Sequence, residues 1–367
     1  MFHILERSQE AALPARATRT TPVTDRSAWT RADVEADRTW LFQLTPRWVQ
    51  EIDDAVANLR RLGRTLDSMG RDDFPLPTLA AELNRRIWGE VCTGRGFNVM
   101  RGLPVERYSD AEVAMIVWGL GQHVAPGVSQ NAMGDKLGHV YNQGLDYEAR
   151  NVRGYQTSHQ LKFHTDSGDV LGLMCLRRAR EGGLSAISSG TTVFNTLLAE
   201  KPHLLPLFFR GFEFDRRGEE TPFQKEVSDK LPIFAEVDGD LSLRYVRQAI
   251  KTARPKLGMQ FDPEELEALD FFDSVAARPE VCFPMMLEPG DMQWVNNYTV
   301  LHSRSDYVDW EGPGRERHML RLWLKIHGFR KLDPLQLDHD PHSGWSRRDG
   351  ILPRGFTMRD GRLQAAE

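Results

Sequence analysis

After about residue 125 the sequence becomes a series of short apolar runs, each bounded by Gly, Pro, Asn or Asp. Runs of this length and composition predict β-strands. They lie at residues 170–176, 185–188, 211–214, 241–246, 282–287, 292–297 and 319–326. Two helices are predicted between them, one near 191–200 and one that begins at Asp262-Pro263. Many short strands with few helical inserts predict a mainly β protein, folded as a sandwich or barrel.

The first third of the chain has a different pattern. Residues 1–40 are polar and aperiodic, which predicts a loosely held N-terminal arm. Helices are predicted after this arm, the first of them from Pro46, where Thr45 can act as the N-cap. Together the patterns predict a single domain over 41–335, helical in its N-terminal part, and a C-terminal extension over 336–367.

The charge and composition limit the partners of this chain. Its 52 acidic and 47 basic residues give a formal net charge of −5, and no sustained basic block is present. Neither nucleic acid nor a membrane surface is therefore predicted as a partner. The longest apolar runs are too short to cross a bilayer, and the N-terminus lacks the apolar stretch of a secretory signal. The three cysteines are far apart in sequence, which is typical of a reducing compartment, so we expect a cytoplasmic protein.

The segment Phe-His-Thr-Asp places His164 and Asp166 two positions apart after an extended run. On a strand both side chains point to the same face, so an imidazole and a carboxylate can converge on one cation. A third candidate ligand is His302, which ends another strand-like run 302 − 164 = 138 residues later. It can reach the first two only if the strands fold back onto each other. Two His and one carboxylate form the facial triad of non-haem Fe(II) oxygenases, although H-x-D alone is a weak signal.

A pair of arginines follows the third candidate ligand. Arg317 and Arg321 share alternation with Met319, so on a strand all three face the same way and Leu320 faces the opposite side. Two inward guanidinium groups would be costly without anionic partners, and a dicarboxylate ligand would supply one. The alternative is an outer, solvated face that also carries Arg315.

These segments together resemble the TauD/TfdA family of Fe(II)- and 2-oxoglutarate-dependent dioxygenases, in order and spacing, over about residues 95–330. The resemblance rests on Phe163-His164-Thr165-Asp166, the turn Gly182-Gly183 followed by Ser185, the run from Pro289-Gly290-Asp291 to His302, and the Arg317 and Arg321 pair. It implies a double-stranded β-helix, the jelly-roll fold of clavaminate synthase-like proteins.

The resemblance also implies a role for each candidate residue. Iron would be held by His164, Asp166 and His302. Arg317 would pair with the distal carboxylate of 2-oxoglutarate, helped by the hydroxyl of Ser185, where many family members have Thr. The implied role of Arg321 is a position near the co-substrate or near an anionic part of the substrate. Weaker expectations are that Gln130 and Asn131 border the pocket and that Trp323 belongs to the core.

The implied reaction couples oxidative decarboxylation of 2-oxoglutarate to succinate and CO₂ with O₂-dependent oxidation of a small-molecule substrate. Hydroxylation is favoured over halogenation because halogenating relatives resemble this pattern with a small residue where Asp166 stands. Association into a homo-oligomer through helices is common in proteins that this chain resembles. Two alternatives stay open: a jelly-roll metalloenzyme that uses another divalent metal for hydrolysis or isomerisation, and a non-catalytic β-sandwich binding module. The sequence does not identify the primary substrate.

Overall fold

The computed structural model describes residues 18–146, 152–340, 342–359 and 362–365. Its α-helices are α1 Arg31–Ala36, α2 Pro46–Leu62, α3 Leu79–Arg86, α4 Asp110–Val124, α5 Gly190–Glu200, α6 Leu205–Arg210, α7 Arg247–Lys256, α8 Pro263–Ala276 and α9 Pro334–Leu337. Its strands are β1 Leu41–Gln43, β2 Phe97–Arg101, β3 Leu137–Val140, β4 Leu161–His164, β5 Val170–Arg177, β6 Glu181–Gly182, β7 Ser185–Ser189, β8 Phe234–Val237, β9 Asp240–Leu243, β10 Cys282–Met285, β11 Met292–Asn296, β12 Val300–Arg304, β13 Tyr307–Val308, β14 His318–Leu324, β15 Phe356–Arg359 and β16 Arg362–Ala365.

Two sheets form the centre of the fold. The larger has the strand order β1-β2-β11-β5-β14-β3, and the smaller has the order β10-β7-β12-β4. Neighbouring strands in both sheets are antiparallel except β1, which runs parallel to β2. Strands that are distant in sequence therefore pair directly, as β11 does with β5. This is the two-sheet arrangement expected of a jelly roll.

The apolar interior lies between these sheets. Leu171 and Met319 from the larger sheet are buried together with Ile187 and Val300 from the smaller sheet. On β14, Met319 and Trp323 belong to this interior, whereas Leu320, Leu322 and Leu324 pack with the cluster beneath α2, α3 and α4. The alternation predicted along this strand is confirmed, and it directs Arg321 toward the interior.

A third hydrophobic cluster supports the smaller sheet. Its aromatic residues come from α5, α6, α8 and β8, with Phe194, Phe208, Phe234 and Phe272 all fully buried. The strand predicted at 211–214 is wrong, because this segment forms only one isolated bridge, between Phe212 and Leu231 in an irregular part of the chain. The strand predicted at 241–246 ends at Leu243, the last residue of β9.

Residues 18–40 are more firmly held than the predicted arm. Trp29 is 2% exposed, and its Nε1–H donates to the Arg95 carbonyl at 2.7 Å. Val34 and Trp40 are buried in the same cluster, and Thr30 caps α1. The loose packing expected for these residues is wrong. The sequence does not reveal the tight packing because the three buried apolar residues are irregularly spaced and give no periodic signal. Residues 1–17 of the predicted arm lie outside the described residues.

The predicted C-terminal extension packs against the domain where it is described. Asp338 forms ion pairs with Arg216 at 2.5 Å and with Arg244 at 3.4 Å, and all three are buried. The boundaries 41–335 and 336–367 stay a prediction. None of the helices in the described ranges combines the length and the apolar character needed to cross a bilayer.

Candidate metal centre

Two histidines face each other across a strand pair. His164, the last residue of β4, is directly opposite His302 in the antiparallel pairing of β4 with β12. Their ring centroids are 4.3 Å apart. The strands thus bring together two imidazoles separated by 302 − 164 = 138 residues in sequence.

Asp166 reaches the same place from a turn. The strand ends at His164, so Asp166 is not on a strand. The prediction that strand alternation places both side chains on one face is therefore wrong. Instead, the Asp166 N–H donates to Asn297 Oδ1 at 3.0 Å, and Trp323 Nε1–H donates to Asp166 Oδ2 at 2.9 Å. These two hydrogen bonds direct the carboxylate toward the histidines, with Oδ2 3.9 Å from His302 Nε2.

One ligand atom from each of His164, Asp166 and His302 lies within 4.8 Å of the others, and each residue is partly exposed. An imidazole, a carboxylate and a second imidazole in this proximity can bind one divalent metal and leave coordination positions free.

The protonation states also suit a metal. Burial alone would raise the pKa of Asp166, but the charge of Arg321, whose Nη1 lies 3.6 Å from Oδ2, and the neighbouring imidazoles hold it below its ordinary value. Burial, with repulsion from His164, lowers the pKa of His302 to about 3. The Lys162 carbonyl can only accept, so the His164 Nδ1 at 2.8 Å carries the proton and Nε2 is free. A carboxylate and neutral imidazoles are the metal-binding forms.

Two buried arginines lie on and near the strand that carries His302, and we call the region around their guanidinium groups the positive pocket. Arg317 and Arg304 are each 4% exposed, and neither forms an ion pair with a carboxylate of the described residues. Arg304 Nε and Nη1 and Arg317 Nη1 have no hydrogen-bond partner there either. The two guanidinium carbons lie 4.6 Å and 5.2 Å from the centre of the Tyr307 ring. Burying two guanidinium groups without a counter-ion costs desolvation free energy, and a bound anion would offset that cost. The pocket therefore fits a carboxylate ligand.

Ser185 belongs to the same pocket wall. It is directly opposite Arg304 in the pairing of β7 with β12, so its side chain shares a sheet face with Arg304 and His302. Close by, a Cβ on Gly183 would lie 3.0 Å from Arg317 Nε, and the backbone there has φ +70°. Only glycine fits that turn without strain while Arg317 passes against it.

Arg321 is fixed on the other side of the three residues. Its Nε donates to Gln130 Oε1 at 2.7 Å, and Gln130 Nε2 donates back to the Arg321 carbonyl at 2.6 Å. The guanidinium lies 4.7 Å from both the Tyr155 and Trp323 ring centres. Arg321, Gln130, Asn131 and Tyr155 also line a cavity of about 730 Å³. The expectation that Gln130 and Asn131 border a pocket is met.

Comparison with known proteins decides the family. Residues 58–323 match the family model described as taurine catabolism dioxygenase TauD, TfdA family. The chain belongs to the TauD/TfdA family. It is 36% identical over 314 residues to FR-33289 synthase of Streptomyces rubellomurinus (strain ATCC 31215), covering 84% of this chain and 92% of that protein.

Solved structures agree with this TauD/TfdA assignment in fold. An asparagine oxygenase in complex with Fe(II), 2S,3S-3-hydroxyasparagine and succinate aligns with a TM-score of 0.61 at 15% identity, over 78% of this chain and 93% of that one. The non-heme iron oxygenase OrfP with Fe and alpha-ketoglutaric acid aligns with a TM-score of 0.57 at 13% identity, over 78% and 94%. The predicted double-stranded β-helix is therefore confirmed.

Membership of the TauD/TfdA family also confirms the predicted enzyme class, an Fe(II)- and 2-oxoglutarate-dependent dioxygenase. The hydrolase and the non-catalytic binding module are not favoured. The structure brings His164, Asp166 and His302 together, and Arg321 contacts Asp166. Ser185 lies opposite Arg304, two residues beyond His302, and Arg317 shares the Tyr307 ring with Arg304. The solvated outer face considered for Arg317 is wrong, since this side chain is 4% exposed.

Sequence reasoning missed three contributors to this TauD/TfdA site. Arg304 follows His302 by two residues on one strand, so alternation alone could have found it. Trp323 is in the core as expected, but its indole N–H also holds Asp166. Asn296 and Asn297 precede His302, and the sequence favours a strand-edge role for them over a place at the site; Asn297 instead binds the Asp166 N–H, across 131 residues of sequence.

Proposed function

We propose that His164, Asp166 and His302 hold Fe(II), and that the enzyme uses 2-oxoglutarate and O₂ to hydroxylate a small organic substrate. One observation carries this proposal. Three side chains able to bind iron meet beside two buried arginines that have no carboxylate partner in the described part of the chain. A divalent metal and a dicarboxylate are the two groups that complete such an arrangement.

Bound iron would supply activation of O₂, and 2-oxoglutarate would supply two electrons as it is cleaved to succinate and CO₂. The contribution of the chain is to present its ligand atoms in the correct form. His164 offers Nε2 because Nδ1–H is engaged with the Lys162 carbonyl. Asp166 stays ionised through the nearby charge of Arg321 and the indole N–H of Trp323. His302 stays neutral through burial.

Arg317 binds the distal carboxylate of 2-oxoglutarate in this proposal, and Ser185 donates its hydroxyl to the same group. The buried guanidinium with an unpartnered Nη1 supports this assignment, since a carboxylate accepts two parallel hydrogen bonds from arginine. Arg304 lies across from Ser185 and adds a second positive charge. The pocket thereby selects a co-substrate with a carboxylate at its far end.

Arg321 is assigned to an anionic group that binds beside the metal, either on the co-substrate or on the substrate. Its Nη1 lies 3.6 Å from Asp166, while Gln130 and the rings of Tyr155 and Trp323 prevent the guanidinium from turning away. The adjoining cavity of about 730 Å³ has the volume of a small-molecule site. Its lining of amide, phenol, imidazole and charged side chains suits a polar substrate.

The finer expectations about partners and location belong to the same proposal. The formal net charge of −5 and the lack of a basic block support a small-molecule partner over nucleic acid or a membrane. The three cysteines, far apart in sequence, support a cytoplasmic location. Association into a homo-oligomer through helices is part of the proposal as well, on the family resemblance alone.

The test uses anaerobic protein and needs no primary substrate. Adding Fe(II) and then 2-oxoglutarate should produce the weak visible charge-transfer band of the metal-bound chelate. Succinate alone, which lacks the keto oxygen, is the matched control and should give no band. Absence of the band from folded protein contradicts the proposal. A succinate-release screen over chemically diverse compounds then identifies the substrate class.

A further inference from the structure

The C-terminal extension reaches the metal centre from outside the part of the chain that matches the family model, which ends at residue 323. We call residues 345–354 the C-terminal strap. Trp345 Nε1–H closes the strap on itself by donating to the Gly350 carbonyl at 2.9 Å. Ser346 caps a short 3₁₀ turn over Arg347–Asp349, and its hydroxyl donates to the Leu337 carbonyl at 2.8 Å.

The strap is anchored at both ends of this turn. Arg347 pairs with Glu219 at 2.5 Å, and Asp349 pairs with Lys325 at 3.1 Å. The Ile351 N–H then donates to the Ser129 carbonyl at 2.8 Å. The Ile351 contact holds the strap against the segment that carries Gln130, the residue that fixes Arg321.

The strap approaches that segment as closely as its backbone allows. A Cβ on Gly350 would lie 2.5 Å from the Ser129 carbonyl oxygen, and the glycine has φ +97°. A side chain at Gly350 would therefore both strain the backbone and push the two segments apart. Farther along, the Arg354 N–H donates to the Ala132 carbonyl at 2.8 Å.

Between the anchors, Arg348 enters the protein. Its side chain is 1% exposed, and Nη1 donates to the Asp166 carbonyl at 3.1 Å. The guanidinium carbon lies 4.9 Å from the centre of the Tyr298 ring, and the Tyr298 hydroxyl donates to Asp169 at the end of the same turn. Arg348 is thus held beneath the turn that carries the proposed carboxylate ligand.

This placement is energetically demanding. Arg348 Nε and Nη2 are buried without a hydrogen-bond partner among the residues that the structure describes. A buried guanidinium that is only partly satisfied is a weak source of stability, and an apolar side chain of similar length is often tolerated as well. Burial raises the pKa of Asp169 and the charge of Arg348 opposes that rise, so Arg348 has a role in the fold, but its unpaired N–H groups leave that role small.

The backbone of Asp166 gives a reason. Because Asp166 lies beyond the end of β4, no strand ladder fixes its orientation. Asn297 holds its N–H at 3.0 Å, and Arg348 holds its carbonyl at 3.1 Å. Both peptide groups that flank Asp166 are then fixed, which sets the direction of its Cα–Cβ bond toward the two histidines, while the Trp323 indole N–H holds the carboxylate itself.

We propose that Arg348 is a positioning residue for the metal centre, and that the C-terminal strap is a functional part of the active site. The inference rests on the proposed function, in which Asp166 binds the metal. Removing a hydrogen-bond partner that orients a metal ligand costs about 10- to 100-fold in metal affinity. A merely structural role would lower thermal stability and leave the affinity of folded protein unchanged.

The test measures Co(II) binding to the metal-free protein by its visible d–d absorption, so the readout does not depend on turnover. Arg348→Met and Arg348→Gln should bind Co(II) about 10- to 100-fold more weakly than wild type. Arg330→Met is the matched control, because Arg330 also donates to a backbone carbonyl, that of Leu241 at 2.7 Å, but lies outside the strap. It should keep the wild-type affinity even where its melting temperature falls.

Wild-type affinity in either folded Arg348 variant overturns the inference, and so does an equal weakening in Arg330→Met. Two substitutions are used because one of them can fail to fold, and circular dichroism identifies folded protein.

The Asp166→Ala variant separates this inference from the proposed function. If Asp166→Ala leaves Co(II) binding unchanged, the proposed metal site itself is wrong. If Asp166→Ala abolishes binding while both Arg348 variants bind normally, only the inference fails.

Discussion

Replacing Arg317 with methionine is expected to raise the KM for 2-oxoglutarate by about 100-fold. Truncating one partner of a buried charge pair costs about 2–5 kcal/mol of binding free energy, and each 1.4 kcal/mol changes affinity about tenfold. The side chain is 4% exposed, and although it lies over the Tyr307 ring, its Nη1 has no hydrogen-bond partner in the described part of the chain, so its charge is available for an anion. Methionine preserves the length and apolar contacts of the arginine stem while removing the charge.

The effect should be confined to the co-substrate. Metal affinity in Arg317→Met should stay at the wild-type level, because Arg317 is not one of the three residues that surround the proposed metal position. Arg315→Met is the matched control: Arg315 is exposed on the same segment, so its loss should leave the KM for 2-oxoglutarate unchanged. A wild-type KM in Arg317→Met would remove this residue from the co-substrate site.

Replacing His302 with alanine should abolish metal binding and reduce succinate formation to the rate of a protein-free mixture. His302 contributes one of three candidate ligand atoms, and a carboxylate with a single imidazole binds a divalent metal far more weakly. Binding is followed by Co(II) absorption under anaerobic conditions, and turnover is followed as succinate.

A surface histidine provides the comparison for this variant. His203 is exposed beside α6, so His203→Ala should retain both metal binding and turnover. Full Co(II) affinity in folded His302→Ala would show that the metal binds elsewhere. Lost turnover with normal metal binding would assign His302 to catalysis without ligation.

The strands could be predicted from sequence where each was short, apolar and bounded by turn residues. β5, β7, β10, β11 and β14 all lie where such runs predicted them. The method failed at 211–214, because apolar composition does not reveal whether a pairing partner is a strand or an irregular segment. It failed again at Trp29, since isolated aromatic residues between polar ones carry no periodic signal.

The site was predictable to the extent that it depends on local spacing. His164 and Asp166 lie two residues apart, and Arg317 and Arg321 lie four apart, so their chemistry is visible in the chain. Contacts between distant segments were not predictable. The hydrogen bond from Arg348 to the Asp166 carbonyl joins residues 182 apart, and no sequence pattern indicates it.

Anomalous diffraction at the iron edge, from crystals grown anaerobically with Fe(II), tests the central claim most directly. The account predicts one strong peak within bonding distance of His164 Nε2, an oxygen of Asp166 and a ring nitrogen of His302. A peak next to other residues would contradict the account. So would the absence of a peak from crystals that retain this fold and were grown with Fe(II) in the crystallisation solution.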